Sequence, residues 1–272
     1  MKTRRCSIDA GFLDQPSRRL FRLLLRPTDR APCGSILFLP PLAEEMHMAR
    51  RNVAAQARLL AESGFNVLLL DLTGCGDSPG EFVDASWQTW KQDAAFALDL
   101  LRVLDRVPLI LWGLRLGGLL ACDLSEERED IQRLLLWQPV LNGEQQIDQF
   151  LRLRTAAAAV DSISGFDRRS LWGELRSGHA LEIAGYELSP ALALEVAGVR
   201  LRDLTPSCAV DWIEIFASDT PEMTPPSRNI AAHWRASGVP VETMVLNGEP
   251  FWRAQDAAIN HSLLRATAGL LA

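Results

Sequence analysis

The sequence places an arginine in a turn whose glycine spacing normally presents a nucleophile. The segment Gly113-Leu114-Arg115-Leu116-Gly117 follows the apolar run 108–112 and precedes a helical pattern. This is the spacing of the Gly-x-Ser-x-Gly turn between a strand and a helix, in which the glycines allow close packing and the central side chain enters a pocket. Arg115 stands where that serine would stand, and a guanidinium stays protonated at any working pH. We therefore expect no acyl-serine chemistry at this turn.

The two partners of such a serine would follow in chain order, first an acid and then a histidine. The acid belongs after the predicted strand that ends at Phe216, where Asp219 and Glu222 are candidates. A solvated acidic turn is an equally good interpretation of that segment. The histidine belongs after the last predicted strand, where 247–251 contain none, and His261 falls on the polar face of the final predicted helix. The remaining histidines are expected at the surface: His47, His179 and His233.

The loop after the first buried strand is the second place where chemistry could occur. It reads Pro40-Pro41-Leu42-Ala43-Glu44-Glu45, with two prolines that lack N–H donors and two carboxylates that would repel a developing oxyanion. The backbone N–H groups of Ala43 and Leu116 could still converge on a ligand, and we add Leu42 and Glu249 as candidate ligand-binding residues. Glu44 or Glu45 could activate a water as a general base if burial raised its pKa.

Other reactive groups carry weaker signals. Cys75 lies in the glycine-rich turn 73–78 at the end of a predicted strand, but it has no identifiable histidine partner. Ser78 is expected to brace the same turn through its hydroxyl. No group of His, Asp and Glu has the spacing of a metal-ligand set, and a guanidinium at the centre would oppose a cation. We predict neither a metal nor a cofactor.

Apolar runs alternate with amphipathic helical stretches, which is typical of an α/β fold with a mostly parallel sheet and helices on both faces. An edge hairpin is predicted over 6–13 and 19–26, around Gln15-Pro16-Ser17. Further strands are predicted at 35–39, 65–71, 108–112, 133–138, 212–216 and 240–246. Helices are predicted over 49–63, 86–104, 116–124, 227–237 and 254–270. Residues 141–208 indicate short helices without a clear strand. We predict a core of 1–140 and 209–272 interrupted by a helical lid over 141–208.

Composition limits the classes of partner. The net charge of −6 over 272 residues gives no basic surface for nucleic acid. The five cysteines show no metal or disulfide spacing, which fits a reducing compartment. No run approaches the roughly 20 apolar residues of a membrane span, and no signal peptide is evident. We expect a cytoplasmic protein.

Six segments together carry a resemblance to known proteins: 40–46, 74–82, 112–117, 137–140, 149–154 and 248–252. Over essentially its whole length the sequence resembles the α/β-hydrolase superfamily. More narrowly, it looks like the second of the two exosortase A-associated hydrolases, bacterial proteins placed by gene neighbourhood with the exosortase/PEP-CTERM and exopolysaccharide system. The resemblance implies an α/β-hydrolase fold, a family label of hydrolase and a partner in that system.

Two interpretations of the arginine site follow. Arg115 should reach Glu44, Glu45 or the Asp219 loop, and it could simply form a buried ion pair there. Alternatively, the guanidinium at a helix N-terminus could bind a carboxylate or phosphate. The function is then either a noncatalytic or nonserine role with an anionic or acyl ligand, or hydrolysis of a small ester or thioester by a carboxylate-activated water. The missing serine and histidine favour the first.

Overall fold

A computed structural model describes residues 6–15, 18–160, 167–254 and 256–271. The predicted hairpin at the amino-terminal end is confirmed as β1 (Cys6–Asp14) and β2 (Arg19–Pro27), which pair antiparallel from Cys6↔Pro27 to Asp14↔Arg19. Pro16 and Ser17, which the sequence placed in the turn, lie outside the described residues.

The strands that follow form the rest of a mostly parallel sheet. They are β3 (Gly34–Leu39), β4 (Phe65–Leu70), β5 (Leu109–Leu114), β6 (Ile131–Trp137), β9 (Ala209–Phe216) and β10 (Val241–Asn247). The sheet order is β1-β2-β4-β3-β5-β6-β9-β10, with β2 antiparallel to β4 and the pairs from β4 to β10 parallel. The chain therefore starts at one edge, crosses to the centre at β3 and β5, and ends at the other edge.

Helices cover both faces of this sheet, as the alternating pattern predicts. The helices of the described chain are α1 (Glu44–Glu62), α2 (Trp87–Leu104), α3 (Leu116–Glu126), α4 (Gly143–Val160), α5 (Arg168–Arg176), α6 (Pro190–Gly198), α7 (Pro225–Ala236) and α8 (His261–Leu270). One apolar cluster joins the sheet to α2, α3 and α7, and a second joins its other face to α1 and α8. The core is thus two apolar layers separated by the sheet.

The largest differences from the sequence prediction concern the segment 141–208 and the starts of two helices. Residues 141–208 hold α4, α5 and α6 but also a short hairpin, β7 (Leu181–Ile183) and β8 (Tyr186–Leu188), which the sequence analysis missed because each strand has only three residues. Helix α1 begins at Glu44 rather than at residue 49, since acidic side chains favour a first helical turn. The last helix begins at His261 rather than 254, because the Asn260 side chain accepts a hydrogen bond from Leu263 N–H and caps it there.

Within the described part of the chain, no helix is both long and apolar enough to cross a membrane.

Candidate functional site

The turn between β5 and α3 holds Arg115 in a backbone conformation that side chains other than glycine rarely adopt. Its φ is 55° and its ψ is −116°, and it is the N-cap residue of α3. Three backbone hydrogen bonds fix this turn: Arg115 N–H donates to Trp137 O at 3.0 Å, and Arg115 O accepts from Gly118 N–H at 3.0 Å and Val140 N–H at 3.1 Å. The strained residue is therefore held from both sides by its neighbours.

The glycines of the turn are required by close backbone approaches. A Cβ at Gly117 would collide with the carbonyl group of Leu39 at the end of β3, and a Cβ at Gly113 would collide with the carbonyl of Gly117. These contacts bring the start of α3 directly against the loop that follows β3. The glycine pattern thus identifies the turn whatever side chain stands at its centre.

The Arg115 side chain is buried in a set of polar and aromatic contacts. Its Nε donates to Glu45 Oε1 at 3.3 Å, and its Nη2 donates to Gln146 Oε1 at 3.0 Å. The guanidinium carbon lies 5.6 Å from the ring centroid of Trp252, within cation–π range. Arg115 is only 9% exposed, and the three partners are buried as well. Among the described residues, none accepts a hydrogen bond from Nη1.

The charge of Arg115 sits at an unfavourable place in the helix dipole field. A helix N-terminus carries a partial positive charge, which stabilises anions and opposes a cation. Glu45, in the first turn of α1, supplies the compensating carboxylate at 3.3 Å. Burial raises the pKa of Glu45 above its ordinary value, and the guanidinium groups of Arg115 and Arg253 act in the opposite direction. Glu45 Oε2 is buried without a hydrogen-bond partner among the described residues.

A polar cavity of about 170 Å³ adjoins Arg115 at the carboxyl ends of β5, β6 and β9. Its lining is dominated by amide, hydroxyl and carboxyl side chains: Gln138, Asn142, Gln145, Gln146, Gln149, Glu214, Thr224 and Ser227. Glu214 is 2% exposed, and its Oε2 accepts from Thr224 N–H at 3.2 Å. Burial raises the pKa of Glu214 above its ordinary value. The cavity therefore offers one cation, one carboxyl group and several neutral hydrogen-bonding groups to a small polar ligand.

Three of the acidic candidates, Asp219, Glu222 and Glu249, do not line this cavity. Asp219 and Glu222 are exposed, and Glu222 lies 3.8 Å from the exposed Arg228 rather than near Arg115. The carboxylate that lines the cavity is Glu214, within β9, and a catalytic role for Asp219 or Glu222 stays a prediction. Glu249 is also exposed and lines a separate cavity with residues 257–262.

Of the acids after β3, only Glu45 contacts Arg115. Glu44 is half-buried; burial raises its pKa, and its Oε2 has no partner among the described residues. The side chains of Leu42, Ala43 and Leu116 are buried in the core, at 2%, 5% and 2% exposure. A ligand could meet these three residues only through backbone groups, so their binding role stays a prediction.

The four histidines are exposed, as predicted, and none lines the cavity beside Arg115. His261 is the first residue of α8 rather than an interior residue of that helix. In the loop after β10, where a triad histidine would be expected, the side chain that reaches Arg115 is Trp252.

The other two candidate nucleophiles, Cys75 and Ser78, occupy structural positions in the turn after β4. Burial raises the pKa of the Cys75 thiol far above its usual range, which disfavours the thiolate that a nucleophile needs. Ser78 braces its turn as predicted, because its Oγ accepts from Phe21 N–H at 2.8 Å and donates to Asp71 O. In the described ranges, no group of three or more His, Cys, Asp and Glu side chains is arranged to hold a metal ion.

Sequence reasoning missed four residues that shape the site. Glu214 had a usable signal, since a charged residue inside the apolar run Trp212-Ile213-Glu214-Ile215-Phe216 requires a buried polar partner. Gln138 also had one, because it follows β6 directly at the end where pocket loops gather. Gln146 and Trp252 reach Arg115 from α4 and from the loop after β10, and nothing in their local sequence indicates that approach.

The order of the sheet, the glycine turn after β5 and the helices on both faces define the α/β-hydrolase fold, and this chain has it. A family model described as serine aminopeptidase, S33, matches residues 32–166. No curated protein sequence matches the chain.

Solved structures similar to this chain have the same fold. Est1E from Butyrivibrio proteoclasticus with ferulic acid bound has a TM-score of 0.71 and 18% identity, over 96% of this chain and 98% of that one. The mouse alpha/beta hydrolase domain-containing protein 10 has a TM-score of 0.58 and 18% identity, over 97% and 98%. An alpha-beta serine hydrolase homologue from Coxiella burnetii has a TM-score of 0.57 and 14% identity, over 97% and 95%. At these identities the similarity extends to the fold alone.

Proposed function

We propose that this chain is an α/β-hydrolase-fold protein that binds a small anionic ligand at Arg115 and does not form an acyl-serine. The observation that supports the proposal most directly is the guanidinium itself. It stands at the centre of the glycine turn, where the sequence pattern expects a nucleophile, and it adjoins a polar cavity of about 170 Å³. A group that is always protonated cannot attack a carbonyl carbon, but it binds carboxylate and phosphate oxygens well.

The arrangement of donors supports binding rather than a closed ion pair. Glu45 and Gln146 engage Nε and Nη2, which leaves Nη1 without an acceptor among the described residues. Burial raises the pKa of Glu45 above its ordinary value, while Arg115 and Arg253 act in the opposite direction. The amide side chains around the cavity supply neutral hydrogen bonds to the rest of a ligand without adding charge.

The experiment is a thermal-shift titration with acetate and inorganic phosphate. We expect at least one of the two to raise the melting temperature of the wild type at matched ionic strength, and to lose this effect in Arg115→Gln. Arg58→Gln is the matched control, since that arginine is exposed on α1 and does not line the cavity. An equal shift in wild type and Arg115→Gln, or no shift with either anion, would contradict the proposal.

The second candidate function is hydrolysis by a water that Glu45 activates. The observation in its favour is the buried Glu45 Oε2, which has no partner among the described residues and belongs to a carboxyl group whose pKa burial raises. Such a carboxylate is a reasonable general base. The test is turnover of short p-nitrophenyl esters, acyl thioesters and aminoacyl p-nitroanilides by wild type, Glu45→Gln, Glu44→Ala and Arg115→Ala. Turnover that falls in Glu45→Gln but not in Glu44→Ala would support Glu45 as the base, and no turnover in any variant would favour the binding function.

We also propose that the protein acts in the cytoplasm with the exosortase and exopolysaccharide system, as its motifs suggest by resemblance. The five cysteines show neither metal nor disulfide spacing, which agrees with a reducing compartment. Affinity purification from the native host, with fractionation of the cell, tests both statements. Recovery of exosortase-system proteins from the cytoplasmic fraction would support them, and recovery from the periplasm would contradict the location.

A further inference from the structure

A second cavity, separate from the one at Arg115, lies between helix α1 and the sheet. Its volume is about 210 Å³, and none of the described residues lines both cavities. Its walls come from β2, β3, β4 and α1 and are almost entirely apolar: Phe21, Leu23, Phe38, Met46, Val53 and Leu69. We call it the α1 cavity.

The α1 cavity is too large to be an ordinary packing defect. Protein interiors contain few voids larger than a water molecule. An apolar cavity of about 150 Å³ is already large enough to bind benzene and stays free of water. At about 210 Å³ the α1 cavity has room for a short hydrocarbon chain. Ala54 contributes only a methyl group to the wall, so the space depends on a small residue at this position of α1.

Two charged side chains stand among the lining residues, and one of them is loosely held. Arg50 Nη2 lies 3.8 Å from Asp71 Oδ2, at the outer limit of an ion pair, and the Arg50 side chain is 51% exposed. Asp71 Oδ2 is already engaged, because it accepts from Asp77 N–H at 2.9 Å. The remaining N–H groups of Arg50 are therefore able to bind another acceptor where the cavity meets solvent.

An apolar chamber with a cation at its mouth matches one kind of ligand. We propose that the α1 cavity binds a fatty carboxylate of short to medium length, with the chain among the apolar walls and the carboxylate on Arg50. The hydrocarbon chain supplies affinity by leaving water, and the guanidinium fixes the orientation of the head group. This site is independent of the ligand proposed for Arg115, because the two cavities have different linings.

The experiment is calorimetric titration of the wild type with hexanoate and octanoate. Each buried methylene contributes about fourfold in affinity, so octanoate should bind about fifteenfold more tightly than hexanoate. Arg50→Gln should weaken both ligands about tenfold and keep their ratio, since it removes one charge-assisted contact. Ala54→Phe should abolish the advantage of octanoate by filling the space that the longer chain occupies.

Control variants separate this site from nonspecific binding and from the Arg115 site. Arg51→Gln removes a neighbouring exposed cation of α1 that does not line the cavity, and it should bind octanoate like the wild type. Excess acetate, which has a head group but almost no chain, should not change the ratio of the two affinities. Ala54→Leu serves if Ala54→Phe unfolds, as judged by thermal melting. Equal affinity for the two carboxylates, octanoate binding that is unaffected by Arg50→Gln and the Ala54 variants, or no heat at millimolar ligand would overturn the proposal.

Discussion

Two helices of this protein begin in nearly the same strained backbone conformation but with opposite chemistry. Ala43, before α1, has φ 50° and ψ −121°, and Arg115, before α3, has φ 55° and ψ −116°. The first helix starts with two acids, which its dipole stabilises, and the second starts behind a cation, which its dipole opposes. The two starts lie side by side because β3 and β5 are neighbours in the sheet.

The difference shows why the arginine can stand where it does. Its charge is met by Glu45 from the other helix start at 3.3 Å, and both groups are nine-tenths or more buried. A helix start that attracts anions thus provides the carboxylate for one that carries a cation. The Arg115–Glu45 ion pair therefore couples the two turns.

The largest effect is expected from removing one member of the Arg115–Glu45 ion pair. Arg115→Ala leaves the buried Glu45 without its cation, and removing one partner of a buried pair costs about 3–5 kcal/mol of unfolding free energy. Replacing both residues with apolar ones of similar volume, Arg115→Met with Glu45→Leu, should restore most of that loss. Guanidinium denaturation of Arg115→Met, Glu45→Leu and the double variant, with Arg115→Ala alongside, measures the coupling energy between the two residues.

The matched control for this cycle is an exposed pair with similar residue types. Arg228→Ala removes an arginine whose partner Glu222 is 3.8 Å away, with both side chains more than half exposed. Its effect should stay within about 0.5 kcal/mol. Strictly additive losses at Arg115 and Glu45 would show that the two helix starts are independent.

The turn at Arg115 could be predicted from the sequence more fully than its ion pair with Glu45. The glycines around Arg115 identify its turn because backbone contacts with Leu39 require them, and these requirements are local in the chain. The pairing with Glu45 was one of three acidic alternatives, since periodicity places a loop beside a strand but does not orient its side chains. The strands and helices of the core were predicted well for the same reason, because alternation and amphipathic spacing are local signals.

The other contacts of Arg115 come from segments that are distant in the sequence. Gln146 comes from α4 and Trp252 from the loop after β10, and both meet Arg115 only once the chain is folded. Asp219 looked suitable because it follows a strand, yet the carboxylate that lines the cavity is Glu214, inside that strand. Tertiary packing decided these positions, and single-sequence patterns do not contain that information.

A smaller effect is expected from the titration of Glu45. Burial raises its pKa above 4.5, with Arg115 and Arg253 as the facing charges. A raised folded-state pKa contributes stability that is fully present below 4.5 and is lost as the pH rises through that raised pKa. The unfolding free energy of the wild type minus that of Glu45→Gln should therefore fall with rising pH in this window, by up to about 1.4 kcal/mol per pH unit. A difference that is flat with pH would show that Glu45 titrates normally.

The smallest effect is expected at Ala43, before α1, where the strained residue itself carries no charge. Ala43→Gly should relieve a positive φ that costs about 1–3 kcal/mol of unfolding free energy. The greater freedom that glycine gives to the unfolded chain offsets about 0.4–1 kcal/mol of this stabilisation. A net stabilisation of about 1 kcal/mol is the expected result, measured by chemical denaturation. Ala55→Gly, within α1, provides the control with the opposite sign, since glycine in a helix interior costs about 1 kcal/mol. Destabilisation by both substitutions would mean that the Ala43 turn carries no strain of its own, and the similarity between the two helix starts would then be geometric rather than energetic.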